Sequence, residues 1–377
     1  MSDPRVLVLH NRYRVRGGEE RAVELHLEAL RLAGIEHRAL MRDSAEIGAA
    51  RAGSALLRGG DDPDEVADAV RELGATVVHV HNMQPLFGPR TLAAAREAGA
   101  RVVLHLHNFR LFCAIGVAFR RGEPCFRCHH GRTFPGLVLN CRSSLPEAAI
   151  YSTALWRQLP HVFELVDRFV APSHYSVGQL ARLGVPDRLE PLPNYLPQEE
   201  LASESRAHEG AFALVSGRLA AEKGVETAIE AAGLAGVPLK VAGDGPLADE
   251  LAKRAGGSVE FLGRLEPGEL ARLRREAALA LVPSRSDESF GLAALEAMGA
   301  GLPVIATRSG ALTELVGAKR CVPRDDADAM AQRLRALWGD PDRRRADGNE
   351  LIARARERFG RERFTRELLA LYARVSS

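Results

Sequence analysis

Short apolar runs alternate with longer amphipathic stretches along the first half of the chain. Residues 6–9 form the first run, and residues 19–32 then repeat their apolar positions with helical spacing. Runs of the same kind occur at residues 76–80 and 101–106, with a helical pattern at 88–98, and residues 162–173 pass from a helical pattern to another strand. Such runs are typical of buried parallel strands. The alternation of strand and helix predicts an α/β domain with a doubly wound parallel sheet.

The second half repeats this rhythm after a break in composition. Residues 189–197 carry three prolines and residues 198–210 are polar and charged, as at a domain boundary. New strand patterns follow at 212–219, 239–243, 259–263, 279–282 and 303–306, and residues 357–375 have helical spacing. We therefore predict two Rossmann-like domains and a terminal helix, with the bounds 1–195, 196–355 and 356–377.

Composition agrees with two globular domains and excludes some classes of protein. At 377 residues the chain is too long for one ordinary core, and its apolar (46%) and charged (27%) fractions are those of a globular protein. The net charge of +2 gives no indication of nucleic-acid binding. The chain has no run of 18 apolar residues, so we expect no membrane span. We also expect no signal peptide before the first strand. We expect a cytoplasmic protein, with peripheral contact at the inner membrane face left open.

Residues 283–306 contain the densest group of candidate functional residues. Glu288 follows a predicted strand, whereas Glu296 lies about a turn and a half inside the next helix. Between them the backbone N–H groups of a helix N-terminus would suit a phosphate or another oxygen-rich ligand. These groups belong to Ser289, Phe290, Gly291 and Leu292.

A second candidate loop, residues 217–224, follows the first strand of the second half. Gly217 and Gly224 bracket it, and Arg218 and Lys223 place two cations five residues apart. Paired cations would stabilise a diphosphate leaving group, on which negative charge grows as its bond breaks. The alternative is a pair of solvated surface cations. Lysine is otherwise rare, since the chain has only four, which favours a specific role for Lys223.

The spacing Glu-x7-Glu, with Ser-Phe-Gly-Leu inside it and Ala-Gly-Leu-Pro-Val-Ile-Ala after it, resembles the family 4 retaining glycosyltransferases of the GT-B fold. The resemblance spans nearly the whole chain. It implies two Rossmann-like domains facing across a cleft, with the donor on the C-terminal domain and the acceptor on the N-terminal one. It also implies that Glu296 holds the ribose of a sugar nucleotide. Glu288 would face the transferred sugar, and Arg218 and Lys223 would bind the diphosphate.

The same resemblance assigns further donor contacts. Gly17 and Gly18 would lie against the diphosphate, although a Gly-Gly turn alone is a weak signal. Arg12, Arg14 and Arg16 either face an anionic substrate or are solvated loop charges.

In the second half, the resemblance places Gly217 and Gly243 beside the nucleotide and Arg264 where the base is read. None of these residues distinguishes a UDP-sugar from a GDP-sugar. The resemblance implies metal-independent catalysis that requires no cofactor, and it leaves the acceptor unidentified.

Two His-x-His pairs, His79/His81 and His105/His107, end neighbouring predicted strands. Period-2 geometry puts both members of a pair on one face. They would then bind a metal, hydrogen-bond a ligand in the crevice, or, for the inner members, pack in the sheet. The resemblance favours the crevice and implies that His107 contacts the primary hydroxyl of the transferred sugar.

Residues 109–145 interrupt the strand–helix rhythm with a cysteine-rich insert. Cys113, Cys125, Cys128 and Cys141 have ligand types and spacing suited to a structural zinc. A subgroup of the resembled transferases carries a similar insert. Reduced thiols packing a loop and disulfides are the alternatives.

Four functions are consistent with these patterns, and transfer from a nucleotide sugar is the one that we favour. A sugar-nucleotide epimerase would convert the donor without an acceptor. A metal-dependent hydrolase would use the histidine pairs and lose activity with a chelator. A non-catalytic binder would hold the donor without turning it over.

Overall fold

The computed structural model describes residues 3–12 and 17–376, and the chain divides into two compact units. Unit 1 comprises Met1–Ala118, Cys125–Asn194 and Glu362–Ser377. Unit 2 comprises Phe119–Pro124 and Tyr195–Arg361.

Unit 1 is built on a six-stranded parallel sheet. Its strands are β1 (Val6–Arg12), β2 (His37–Asp43), β3 (Val77–Val80) and β4 (Arg101–His105), followed after the insert by β7 (Arg168–Ala171) and β8 (Leu189–Pro191). Their order in the sheet is β2-β1-β3-β4-β7-β8. Within the insert, β5 (Phe119–Arg120) and β6 (Glu123–Pro124) form a small antiparallel hairpin, which groups with unit 2.

Helices connect these strands, and their ends follow from local sequence. They are α1 (Gly18–Leu32), α2 (Ala49–Arg58), α3 (Pro63–Leu73), α4 (Pro89–Glu97), α5 (Pro135–Val138), α6 (Leu145–Leu165) and α7 (His174–Leu183). In α3, for example, the Asp62 carboxylate accepts from the Glu65 N–H and caps the helix start, whereas left-handed Gly74 ends it.

Unit 2 repeats the architecture with the strand order of a Rossmann fold. Its strands are β9 (Ala213–Ser216), β10 (Leu239–Ala242), β11 (Val259–Gly263), β12 (Leu279–Val282), β13 (Val304–Thr307) and β14 (Cys321–Val322), in the parallel order β11-β10-β9-β12-β13-β14. The helices are α8 (Val225–Ala235), α9 (Ala248–Arg254), α10 (Pro267–Glu276), α11 (Leu292–Gly299), α12 (Leu312–Val316), α13 (Ala327–Trp338) and α14 (Pro341–Phe359). The last helix, α15 (Arg361–Ser376), groups almost entirely with unit 1.

The central strands of both sheets are buried on both faces. Leu7, Val78 and Leu104 in unit 1, like Leu214 and Ile305 in unit 2, are at most 1% exposed. This burial explains why these strands are continuous apolar runs in the sequence. The predicted pair of doubly wound parallel sheets is confirmed. Among the described residues, no helix combines the length and apolarity needed to cross a membrane.

The fold differs from the sequence prediction at three edge strands and at the start of the terminal helix. Strand β8 lies within the stretch predicted to be a domain boundary, and the two-residue β14 was not predicted. The edge strand β2 was not predicted, because its side chains are mostly half-exposed and it lacks an apolar run. The predicted start of the terminal helix at residue 356 is also wrong. Helix α14 continues to Phe359, and Gly360 leaves the helical conformation before α15 begins. The Leu196 N–H donates to the Phe359 carbonyl at 2.9 Å, which ties this break to the start of unit 2.

Candidate active site

The sheet of unit 2 reverses its winding between β9 and β12, which are adjacent in space but not consecutive in sequence. In open α/β sheets the loops at such a point part and leave a crevice outside the carboxyl ends of the strands. The two loops there contain the residues predicted to act together, at 217–224 and 283–291. The Arg285 and Ser286 N–H groups both donate to the Glu222 carbonyl, at 2.9 and 3.0 Å, so the loops are joined.

Lys223 and Glu288 form an ion pair across these loops. The Lys223 ammonium donates to Glu288 Oε1 at 2.6 Å, and the Ser284 hydroxyl donates to the same oxygen at 2.6 Å. Burial raises the pKa of Glu288, but Lys223, Ser284 and the charge of Arg218 outweigh it and hold that pKa below its ordinary value. The Glu288 carboxylate is therefore ionised and binds the Lys223 ammonium. An anionic ligand would compete with Glu288 for this ammonium.

Arg218 lies at the start of the same loop and pairs with Glu222. Its side chain is 49% exposed, whereas that of Glu222 is 11% exposed. The guanidinium therefore remains accessible while its position is restrained. Two cations, one half-buried and one exposed, thus border the crevice.

Glu296 lies on α11 and pairs with Arg274 of α10. The side chains are 21% and 9% exposed, so each charge depends on its partner for compensation. Sequence reasoning missed Arg274, because a partner on a different helix leaves no periodic signal in the sequence. The pair restrains the orientation of the Glu296 carboxylate.

The loops that follow β9 and β10 approach each other closely through backbone atoms. A Cβ atom on Gly243 would lie 1.8 Å from the Gly217 carbonyl oxygen, so the two glycine loops cross where no side chain fits. Gly217 also has a φ of +146°, which favours glycine. Arg264, predicted near the base, is exposed just after β11.

The start of α11 lies where the sequence predicted a helix N-terminus. Gly291 is its N-cap in the left-handed conformation, with φ +102°, and a Cβ there would lie 2.6 Å from Leu312 Cδ2. The Phe290 side chain is 4% exposed and packs edge-on against Phe359. Residues 289–292 can therefore offer a ligand backbone N–H groups, with Phe290 committed to the core.

In unit 1, the ends of β3 and β4 line a small pocket with polar side chains. His81, His105 and His107 line it together with Glu19 and Asn108. Asn108 donates to Glu19 Oε2 at 2.8 Å, and His107 Nε2 lies 2.7 Å from His81 Nδ1. Burial and the neighbouring histidines lower the pKa of His107 to about 3, so its imidazole is neutral. The His79 and His81 ring centroids are 4.9 Å apart and those of His105 and His107 are 3.9 Å apart, as predicted for pairs that share one face.

Gly17 and Gly18 begin α1, near the end of β1. The Gly17 N–H donates to Glu20 Oε2 at 2.7 Å, which caps the helix. Of the three loop arginines considered above, Arg14 and Arg16 lie outside the described residues.

Histidine nitrogens form the two sets of ligand atoms close enough to hold a metal ion within the described ranges. These sets are His26, His79 and His81, and His81, His105 and His107; within each, the atoms lie within 4.8 Å of one another. The predicted zinc ligands form no such set of three among the described residues.

The four thiols of the insert are nevertheless near neighbours. Burial, followed by the charges of Cys113, Cys141 and Cys125, raises the pKa of Cys128 to about 12. None of the five cysteines, all in the described ranges, forms a disulfide. The four-cysteine zinc site therefore stays a prediction.

Comparison with protein families decides what this chain is related to. Residues 16–199 match the model described as Glycosyltransferase Family 4, and residues 198–358 match the model described as Glycosyl transferases group 1. The chain belongs to glycosyltransferase family 4.

Individual relatives match this family 4 chain over part of their length. A GDP-mannose-dependent alpha-(1-6)-phosphatidylinositol dimannoside mannosyltransferase of Mycobacterium tuberculosis is 36% identical over 34% of this chain and 36% of its own. Glycogen synthase of the same species is 36% identical over 40% of this chain and 37% of its own. The matches thus span little more than a third of these relatives.

Solved structures match the family 4 chain over almost all of its length, at low identity. Sucrose-phosphate synthase from Thermosynechococcus elongatus has a TM-score of 0.72 at 18% identity and covers 99% of both chains. Anabaena HepE in complex with UDP has a TM-score of 0.67 at 15% identity and covers 98% of this chain and 100% of its own. These likenesses establish the GT-B fold.

Proposed function

We propose that the chain is a retaining glycosyltransferase that moves a sugar from a nucleotide diphosphate sugar to an acceptor hydroxyl. The observation that supports this most strongly is the Lys223–Glu288 ion pair at the point where the unit 2 sheet changes direction, with Arg218 in the same loop. A site with two cations and an ionised carboxylate suits a ligand that has both a diphosphate and a hydroxylated sugar. Family membership favours transfer over the epimerase and hydrolase alternatives.

Each group then has a separate role. A bound diphosphate would draw Lys223 away from Glu288, and Arg218 would add a second positive charge. Glu288, still held by Ser284, would face the sugar together with the amides of residues 290–292. Glu296, oriented by Arg274, would accept hydrogen bonds from the ribose.

The reaction proceeds in this proposal by front-face attack. The acceptor oxygen forms a bond to the anomeric carbon as the bond from that carbon to the diphosphate breaks. The departing phosphate takes the acceptor proton, so no protein nucleophile or cofactor takes part. His107 of unit 1 would hydrogen-bond the primary hydroxyl of the sugar as a neutral imidazole.

The donor is a UDP- or GDP-linked sugar. One relative is named as GDP-mannose-dependent, and HepE was solved with UDP. The test is to incubate the protein with a panel of both donor types and to measure the nucleoside diphosphate that is released. A positive donor is then combined with candidate acceptors, and NMR of the product should show the donor's anomeric configuration. Conversion of the donor to an epimer with no nucleotide released would contradict the proposal.

We also propose that Cys113, Cys125, Cys128 and Cys141 hold a structural zinc. The mutual electrostatic influence of their thiols supports this, because a zinc would remove the thiol protons that burial retains. Protein purified without added metal should contain about one zinc per chain. Stripping it should destabilise unit 1 and leave nucleotide affinity unchanged. Metal-free protein of normal stability would contradict the zinc site and indicate that the four cysteines are reduced thiols that pack the loop.

A third proposal concerns peripheral contact with an anionic bilayer. Four large apolar side chains near α5 and α6 are strongly exposed: Phe134, Val138, Leu145 and Trp156, at 46, 81, 62 and 51%. We name them the apolar patch. The Phe134 and Trp156 ring centroids are 5.8 Å apart, and α5 packs on α6. Leu145 and Trp156 are 11 residues apart on α6 and so lie on nearly the same side of the helix.

Charge favours a bilayer as the surface that covers this patch. Arg132 and Arg157 are exposed beside its aromatic residues, and paired aromatic rings flanked by arginines suit an anionic interface. In flotation assays the protein should bind phosphatidylglycerol-containing vesicles more strongly than pure phosphatidylcholine vesicles. Val138→Asp should abolish binding, whereas Leu32→Asp, at a residue 47% exposed elsewhere in unit 1, should not. Equal behaviour of the two variants would contradict the proposal.

A further inference from the structure

Six side chains in unit 1 form an unbroken chain of hydrogen-bonding contacts. We call it the histidine–tyrosine chain; its members in order are His107, His81, His26, Tyr372, His79 and His105. They come from β3 and β4, from the segments that follow these two strands, and from α1 and α15. All are buried except His107, which is partly exposed at the pocket.

The contacts run from one ring nitrogen to the next. His107 Nε2 lies 2.7 Å from His81 Nδ1, and His81 Nε2 lies 2.7 Å from His26 Nδ1. The Tyr372 hydroxyl bridges His26 Nε2 at 2.8 Å and His79 Nδ1 at 2.9 Å. His79 Nε2 and His105 Nδ1 complete the chain at 3.4 Å, its longest contact.

Proton counting restricts this chain to two arrangements. Each neutral imidazole has one N–H and the phenol has one O–H, so six hydrogens serve five contacts. Every contact needs one hydrogen, and a ring that donates at one nitrogen accepts at the other. The phenol oxygen could also accept from both His26 and His79, but its own hydrogen would then be a buried donor outside every contact of the chain. With that arrangement set aside, all the donors point in the same direction, and the sixth hydrogen lies on one of the two end nitrogens. Burial lowers the pKa of His26 to about 3 and holds that of His79 well below its usual value, so both rings are neutral.

The two ends differ in their surroundings. His105 Nε2 is buried and has no hydrogen-bond partner among the described residues. If that nitrogen carried the sixth hydrogen, the chain would leave a buried N–H donor unpaired, which is rare in proteins. The opposite arrangement puts the hydrogen on Nδ1 of His107, at the pocket.

We propose that Tyr372 and His26 are positioning residues, which fix through this chain the hydrogen on Nδ1 of His107. The fixed tautomer would then determine how the His107 ring hydrogen-bonds the donor sugar, and this last part rests on the proposed function. Tyr372 holds the chain together, because its hydroxyl bridges the His26 and His79 branches.

Long-range ¹⁵N NMR of the histidine rings tests the proposal in the free protein, without any substrate. His107 should give the spectrum of a single tautomer with hydrogen on Nδ1. Tyr372→Phe removes only the bridging hydroxyl, so His107, His81 and His26 become a separate segment that reverses more easily. The His107 signals should then move toward values averaged over both tautomers. Leu371→Val is the matched control, because it alters a buried neighbour on α15 without removing a polar atom, and it should leave them unchanged.

Kinetics supply the second readout. A mixed tautomer population in Tyr372→Phe should lower kcat by about twofold to tenfold, since only a fraction of the protein is competent. The donor KM should change by less than about twofold. If Tyr372→Phe fails to fold, His26→Gln cuts the next link and should shift the same His107 signals.

Three results would overturn all or part of the proposal. Unchanged His107 tautomer signals in both variants would show that the chain does not control this ring. Uptake of one zinc by chelator-treated protein, with loss of the His26, His79 and His81 ring signals, would make the cluster a metal site instead. A tautomer shift in a protein that transfers no sugar would leave the chain intact and refute the proposed function.

Discussion

The two Rossmann-like units place opposite kinds of chemistry at the carboxyl ends of their parallel strands. At the strand ends of unit 2, charges are paired at short range and partly exposed, as in Lys223–Glu288 and Arg218–Glu222. At the strand ends of unit 1, neutral imidazoles are buried and bonded to one another. A six-stranded parallel sheet therefore supports a charged site in one unit and an uncharged site in the other, although the two sheets differ in strand order.

This difference corresponds to two tasks in the proposed reaction. A departing diphosphate gains negative charge, so mobile cations are needed beside it. A sugar hydroxyl gains none, and a neutral donor of fixed direction is sufficient to orient it. The unit 2 pairs can exchange partners with a ligand, whereas the unit 1 chain preserves its arrangement.

Acid should lower the stability of unit 1 through its buried histidines, and this is the largest expected effect. Burial, with Arg12 nearby, lowers the pKa of His10 to about 4, and burial, with His37 nearby, lowers that of His26 to about 3. In the unfolded chain these rings take up protons below about pH 6.5. Stability should therefore be complete above that pH and fall as pH decreases toward 4. Each histidine contributes at most about 1.4 kcal/mol per pH unit, a slope that is reached only below pH 6.5 because the unfolded ring is half protonated there. The two together therefore contribute about 3 kcal/mol between pH 6.5 and 5.

Denaturant unfolding at a series of pH values measures this slope. His26→Gln should reduce it by about 1.4 kcal/mol per pH unit. A free energy of unfolding that stays constant from pH 6.5 to 5 would show that the buried histidines are not held neutral.

In unit 2, Glu296→Gln should weaken nucleotide binding by about 1.5–3 kcal/mol, the range for hydrogen bonds to a charged group. Calorimetry with UDP and GDP measures the loss, and Glu204→Gln, in an exposed pair with Arg345, is the control. Glu288→Gln should instead reduce turnover more than binding. Unchanged nucleotide affinity in folded Glu296→Gln protein would remove the ribose role.

A smaller effect is expected from Ser284→Ala, which removes one hydrogen bond to Glu288. Losing a single neutral donor should reduce kcat by about twofold to tenfold, equivalent to about 0.5–1.5 kcal/mol. If kcat is unchanged, Lys223 alone is enough to position the carboxylate.

How much the sequence predicted depended on whether a feature is local. Apolar runs such as residues 279–282 predicted the central strands, because burial on both faces requires continuous apolar sequence. Glu288 and Glu296 were located correctly relative to α11, since their spacing lies within one strand–loop–helix unit. The edge strand β2 was missed because half-exposed side chains leave no such run.

Contacts between distant elements were not predictable in the same way. Tyr372 has the spacing of an ordinary apolar helix position, yet its hydroxyl bridges His26 and His79 from α15. Arg274 likewise gives no sign that it pairs with Glu296. Both become apparent only when the fold brings separate elements together, and both restrain residues that the sequence did identify.

The most direct test of the central claim compares two lysines. Lys223→Ala removes the cation assigned to the diphosphate, and Lys319→Ala removes one from an exposed Lys–Glu pair of the same length, 2.6 Å. Steady-state turnover of the identified donor should fall by about 10²–10³ in Lys223→Ala, the scale for losing one preorganised group at a developing anion. It should remain normal in Lys319→Ala. Normal turnover in a folded Lys223→Ala protein would contradict the claim that this charged loop drives departure of the diphosphate.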